Sequence, residues 1–381
     1  MRFLLIVSLL LACSAIAATE NAPITAETRA SLLERARIRR PVNVSRMNIL
    51  SGPKNPLTRA PGSLVTCRYI EPKEPAGGSV PKFKCTVLKS GEDIRVKYGE
   101  NTREVFAEVA ASRLLWALGF YTDEDFYVRI KCLDCPETNP FRPEKDERRV
   151  TRIFNSAMLE RTFPGMIIET SEDEGWSWNE LDKIDEKKGG ATRAEKDAFR
   201  LLAVFIQHSD NKAVNQRLAC YKQDLPDPKN ASSCRKPVLM IADLGASFGA
   251  GASKITDAAK MDFENWKNKD VWNLTKEHDY LVQNKRQICI GNLPNTMRAG
   301  EAGLFDPEIS EEGRKMLSDL LNQLSLKQIR EIFRTAGIEK MEEYIDDAGK
   351  KRKVTVEDWV AAFIKKRDQI NERRCPTLPP Q

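Results

Sequence analysis

Histidine is almost missing from this chain: of 381 residues only two are histidine, His208 and His278. That scarcity, with a lone C-x-x-C pair at Cys132 and Cys135, excludes a four-ligand zinc site, which needs a second pair or more imidazoles. A charge excess of one sign is lacking too. Lys and Arg number 61 against 55 Asp and Glu, a net charge of +6, and no long basic block interleaves with aromatics, so nucleic acid is not an expected partner. The short run Lys350, Lys351, Arg352, Lys353 reads as a solvated turn. Past the first residues there is no long apolar run, so no transmembrane segment is expected. No internal repeat is apparent. The stretch 346–357 resembles a calcium loop only until its lysines are placed where oxygen ligands belong, which excludes calcium there.

What is present begins with Arg2, an apolar run over 3–11 and small residues ending Ala15, Ile16, Ala17, the pattern of an export signal over 1–17. The alternative is a lipoprotein box at Leu10, Leu11, Ala12, Cys13, which would anchor the chain through Cys13. Either way the protein is expected outside the cytoplasm, secreted or periplasmic. Of nine cysteines, those beyond Cys13 are even in number, and in an exported chain they read as disulfides. The expected pairing is between nearest neighbours, Cys67–Cys85, Cys132–Cys135 and Cys220–Cys234, with Cys289–Cys375 as the remainder.

Residues 18–62 read as an arm or linker, with a short helical pattern over 26–37 and then Pro41, Pro53, Pro56 and Pro61. Strands are expected over 64–70 and 83–88, around the Gly77-Gly78 loop, and over 94–97, ending on Lys97. A helix over 102–118 stops at Gly119 and carries two acids one turn apart, Glu104 and Glu108. Strands follow over 126–131, 149–154 and 157–160, the first two separated by a Pro- and charge-rich loop. Residues 164–190 look irregular, with Trp176 and Trp178 as packing residues. Thr192 and Glu195 then cap a helix whose Ala198, Leu201, Leu202, Phe205 and Ile206 share one face. It leads directly to His208. Strands over 217–221 and 238–242 and helices over 310–324, 325–335 and 356–373 complete the pattern.

The segment from His208 to Asn215 has the spacing H-x-D-x-K-x-x-N, and Asp243-Leu244-Gly245 follows as D-x-G. Phosphoryl transfer needs a carboxylate at the attacking hydroxyl and separate oxygen ligands for a divalent cation, and this pattern supplies both. Taken singly, each motif could be a polar turn at the end of an element. Four such residues at fixed spacing arise by accident in a chain of this length on the order of once in a thousand.

In the order strand lysine, helix glutamate, apolar strand, catalytic loop and D-x-G, residues 64–251 resemble the protein-kinase-like superfamily, and within it the atypical branch of HipA-like, lipid and secreted kinases. The resemblance implies a bilobal α+β fold, with an antiparallel-sheet N-lobe over 63–162 and a mainly helical C-lobe over 163–381. It implies that Asp210 accepts the substrate proton, that Lys212 lies against the transferred phosphate, and that Asn215 and Asp243 hold Mg²⁺ or Mn²⁺. Lys97 would hold the α- and β-phosphates of ATP and Glu108 would hold Lys97. Glu104 is the alternative partner, and whichever acid does not pair is expected at the surface. Met158, Glu160 and Arg161 resemble the hinge whose backbone meets the adenine, and His208 is expected to brace the loop rather than to move protons.

Departures from the pattern separate the chain from ordinary serine/threonine kinases. Ser209 stands in place of the usual Arg, Leu244 in place of Phe, and neither G-x-G-x-x-G nor A-P-E is found. The reading is therefore an exported, Mg²⁺-dependent phosphotransferase acting on a hydroxyl of a protein or small molecule. Its alternatives are an inactive binding or scaffold protein and a nucleotidyl transferase of the same fold.

Overall fold

The computed structural model describes residues 24–73, 77–99, 102–171, 174–249, 260–295, 303–341, 344–345 and 351–377. The expected export signal and Cys13 lie outside these residues. So do residues 346–350 of the 346–357 stretch.

Strands β1 (Leu64–Ile70), β2 (Lys82–Val87) and β3 (Asp93–Tyr98) alternate buried and exposed positions, the period-two pattern of a sheet with one face on a core. β4 (Asp125–Pro136) and β5 (Arg149–Arg161) complete a closed barrel in the order β1-β2-β3-β5-β4. Two differences from the sequence reading stand out. The two short strands expected between 149 and 160 are one continuous strand, because β5 pairs with β3 on one side and β4 on the other. The sheet is also not wholly antiparallel, since β1 and β4 run parallel. Four antiparallel steps around a ring of five strands bring the last strand back in the direction of the first, so the closing pair has to be parallel. The barrel interior holds Val65, Cys67, Phe83, Cys85, Val96, Phe126, Ile130 and Leu159.

The helix α1 (Ala26–Glu34) ends short of the expected pattern. The expected arm is packed into the fold: Leu32, Leu33, Ala36 and Ile38 are buried in the main apolar core, and Arg29 pairs with Glu180 at 2.7 Å with both side chains largely buried. Within its proline-bearing part Val44, Ile49 and Leu57 are buried as well. Helix α2 (Arg103–Ala117) is buried on nearly all sides and packs on β4, β5 and α7 (Leu326–Thr335). A second sheet consists of β6 (Gly165–Ile167), inside the stretch read as irregular, with β7 (Gln216–Tyr221) and β8 (Val238–Ile241).

α3 (Arg193–Phe205) carries the expected Thr192/Glu195 capping box. It packs on α6 (Glu311–Asn322), and α8 (Val356–Glu372) packs on α4 (Phe263–Asn268), α6 and α7. Between these elements Phe205, Phe248, Trp266, Phe333, Trp359 and Phe363 form a contiguous ring cluster. The fold is thus a mixed α+β one. All four expected cysteine pairs lie at disulfide distance. Among the described residues no helix is long and apolar enough to cross a membrane.

Candidate functional site: a lysine among carboxylates in a cleft

Lys97, the last residue but one of β3, stands opposite Met158 of β5 and Lys82 of β2, and its side chain is 2% exposed. A buried ammonium must be paired. Its Nζ donates to Glu108 Oε2 at 2.6 Å and lies 3.2 Å from Glu104 Oε1 and 3.5 Å from Asp243 Oδ2. Burial alone would discharge this lysine, but Asp243, Glu108 and Glu104 outweigh it and hold its pKa well above the ordinary value. Both glutamates are buried, so the expectation that one of them is a surface charge is not met. Residues four apart on a helix share a face, and the added charge of Glu104 is matched by Lys260, whose Nζ contacts Glu104 Oε2. No motif marks Lys260. It reaches the site through tertiary structure alone.

Asp243 keeps a side chain that is 41% exposed. Crowding by protein atoms works against its charge, yet Lys97, the Gly245 N–H, His208 and Lys82 together hold its carboxyl well below the usual carboxylate range. The Gly245 N–H donates to Asp243 Oδ1 at 3.1 Å. At Gly245 a Cβ would fall 2.2 Å from Glu104 Cγ, which explains the glycine of D-x-G: the backbone there runs against the helix glutamate.

The loop after α3 is tied to D-x-G by backbone bonds. Asp243 N–H donates to the Asn215 carbonyl at 3.1 Å and Ala242 N–H to the same oxygen at 2.9 Å, while Ser209 N–H donates to Ala246 O at 3.0 Å. The Ser209 hydroxyl donates to that same Ala246 oxygen at 3.2 Å. Asn215 Nδ2 donates to the Asp210 carbonyl at 2.6 Å, and Lys212 Nζ lies 3.2 Å from Asp210 Oδ1. Asn211, unremarkable in the sequence, spends its side chain on structure: it donates to His208 O and Leu304 O and accepts from Leu304 N–H. Trp178 Nε1–H donates to Asn211 O at 3.0 Å, so the tryptophan holds this loop. His208 is fully buried, neither ring nitrogen has a partner among the described residues, and burial pushes its pKa down to about 4. Burial therefore favours the neutral form of this ring.

Asp210, Lys212, Asn215, Asp243, Glu104 and Lys260 line one side of a cavity of about 990 Å³ whose other side is the β1–β2 hairpin and the β4–β5 loop. A smaller cavity of about 190 Å³ lies alongside, where Lys97, Asn215 and Asp243 meet Arg95, Glu160 and Arg217. The residues read as a hinge behave differently. Met158 is fully buried. Glu160 receives Arg95 Nη1 on both carboxylate oxygens, at 2.8 and 3.0 Å. Arg161 is bound to Glu92 and Glu124 at 3.1 and 3.0 Å, and its N–H is donated to Glu124 O at 3.1 Å. Met158 and Arg161 line neither cavity. The lysine, the carboxylates and the loop residues come together; of the hinge residues Glu160 joins them at the small cavity, while Met158 and Arg161 do not.

The fold and site define a mixed α+β protein with a buried lysine among carboxylates at the edge of a large cleft. No family model matches the chain, and no curated protein matches it. Among solved structures it is similar to a Helicobacter pylori proinflammatory kinase, CtkA, at 12% sequence identity and a TM-score of 0.42, over 82% of this chain and 96% of that one. A likeness of that size carries no argument about activity.

Proposed function

We propose that the protein is a kinase-like phosphotransferase that uses ATP and a divalent cation, Mg²⁺ or Mn²⁺, to phosphorylate a hydroxyl of a protein or small molecule outside the cytoplasm. The observation that carries this reading is the position of Lys97 Nζ, 2.6 Å from Glu108 and 3.5 Å from Asp243, the latter lining the larger cavity together with Asp210 and Asn215. A charged lysine fixed by a helix carboxylate is suited to hold phosphate oxygens.

The donor set fits the cation. Asp243 offers a partly exposed carboxylate and Asn215 an amide oxygen whose amide nitrogen is already committed to Asp210 O, the hard oxygen ligands that Mg²⁺ prefers. Metal-bound ATP, when present, supplies the transferable phosphoryl group. Lys97 holds its anionic oxygens, with Glu108 fixing the ammonium. Asp210 takes the proton of the acceptor hydroxyl, and Lys212, ion-paired to Asp210, offsets the charge at the transferred group. The disulfide pairs agree with an oxidising compartment.

Product analysis tests the reading. With Mg²⁺ and ATP, ADP should form in the presence of acceptor and fall by about 10²-fold or more in Asp210→Asn. Pyrophosphate as the product would instead identify a nucleotidyl transferase. ATP bound without turnover in any acceptor mixture would identify a binding protein.

A further inference from the structure

The hinge residues leave open where the base of a nucleotide goes. β5 is an interior strand: from Ala157 to Arg161 its residues are in register with β3, and Ala157 to Glu160 also with β4. The Arg161 N–H, at the end of this ladder, is donated to Glu124 O. A backbone already spent on two neighbours has little left for a base.

The small cavity beside β5 is equally unreceptive. At about 190 Å³ it falls below the roughly 300–1,000 Å³ of ordinary ligand pockets, and it is walled by ion pairs. Arg95 is paired with Glu160, and Arg217 is paired with the buried Asp123 at 2.9 Å. A base entering there would have to displace charge pairs that are partly or wholly removed from water.

The outer cavity has the opposite character. Besides the loop residues it is lined by Ile70, Val80, Phe83 and Phe141 from the hairpin and the β4–β5 loop, an apolar wall of the kind on which an aromatic ring packs. The route to it from Lys97 is marked by a second lysine. Lys82 stands opposite Lys97 in the β2–β3 ladder, lines the outer cavity, and has no carboxylate at ion-pairing distance among the described residues. Two lysines side by side, one with three carboxylates and one with none, leave a place for an anion at the second.

We infer that a nucleotide lies with its phosphates between Lys97 and Lys82 and its base outward, under the β1–β2 hairpin against Val80, Phe83 and Phe141, and that β5 takes no part in reading it. Lys82 here does what a glycine-rich loop would otherwise do with backbone amides, which is consistent with the absence of G-x-G-x-x-G. This inference rests on the nucleotide reading above, and the test separates the two.

The full oxidised chain is photolabelled with 8-azido-ATP and Mg²⁺, with and without competing ATP, and the labelled peptides are identified. Competable label within 69–84 or 139–142 is the expected result. Competable label within 158–163 or 214–217 overturns the base placement and leaves the phosphotransferase reading standing, whereas the lack of any competable label removes both. In parallel, Val80→Trp, which fills the outer cavity, should weaken ATP about tenfold while inorganic tripolyphosphate with Mg²⁺ binds within about twofold of wild type. Wild-type ATP affinity in a folded Val80→Trp protein contradicts the placement.

Discussion

Asp243 and Asn215 are joined through the backbone, the amide of the first donating to the carbonyl of the second at 3.1 Å. Residues 28 positions apart in sequence, 243 against 215, thereby share one rigid frame. Whatever binds one side chain is held in register with the other.

The glycine of D-x-G follows from packing. In Gly245→Ala the new methyl meets Glu104, so either Glu104 shifts, losing Lys97 and Lys260, or the D-x-G turn moves. Overpacking of this kind costs about 1–3 kcal/mol. Urea unfolding should show that loss, together with weakened Mg²⁺-ATP binding.

Removing Lys97 leaves Glu104, Glu108 and Asp243 close together without the ammonium they share, although Lys260 still pairs with Glu104. Lys97→Met should therefore cost about 3–5 kcal/mol at neutral pH. Glu108→Gln should cost less, because Glu104 and Asp243 still pair with the ammonium. The Lys97→Met deficit should narrow on acidification, since protonating a buried carboxylate relieves the repulsion. Equal deficits for the two variants, independent of pH, would contradict the ion-pair geometry.

His208 gives a pH dependence of defined sign. Its folded pKa of about 4 lies below the unfolded value of about 6.5, so the unfolded state binds the extra proton. The neutral buried ring contributes fully above the unfolded value, and that contribution is lost as pH falls from about 6.5 to 4, by roughly 3 kcal/mol in all. The buried Asp123, pushed up to about 7 by burial against the pull of Arg217, works in the opposite sense over part of the same range. The test is therefore the difference between wild type and His208→Phe. That difference should change steeply between pH 6.5 and 4 and be flat above 7.

The disulfides should rank by the length of chain they close. Cys289–Cys375 spans 86 residues and Cys132–Cys135 spans 3. In the chain-entropy model the long closure contributes about 4–5 kcal/mol and the short one far less. Replacing both cysteines of each pair with serine, one pair at a time, and measuring the unfolding midpoint checks the order. The short pair staples the irregular β4–β5 register at Cys132 and Cys135, so its loss should act locally on that edge.

What was legible in the sequence was local. Helix α3 is marked by its capping box, β1 to β3 by the turn residues around them, and the loop and D-x-G by residue types at fixed spacing, because each depends on neighbours a few positions away. What was not legible was set by distant partners. The sequence offers Glu104 and Glu108 as alternatives for Lys97, and that both are buried depends on Lys260, 156 positions from Glu104. Asn211 looked like filler in its motif until Leu304 bonded to it from both sides. The apolar strand ending in Glu160 and Arg161 has the residue pattern of a hinge, but whether its backbone is free depends on β3 and β4, and both are paired to it. The proline-studded stretch before β1 has the composition of a linker, and the core contacts of Val44, Ile49 and Leu57 show otherwise.

The most direct test of the central claim is the thermal shift of the oxidised protein with ATP, with and without Mg²⁺, for wild type and Asp243→Ala. At about 100 times its dissociation constant a ligand adds about 2.7 kcal/mol, a rise of several degrees in a chain of this size. The account predicts a rise in wild type that requires Mg²⁺ and is absent in Asp243→Ala. No rise in wild type, or an equal rise without Mg²⁺ and in the variant, would contradict a metal-nucleotide site at Lys97 and Asp243.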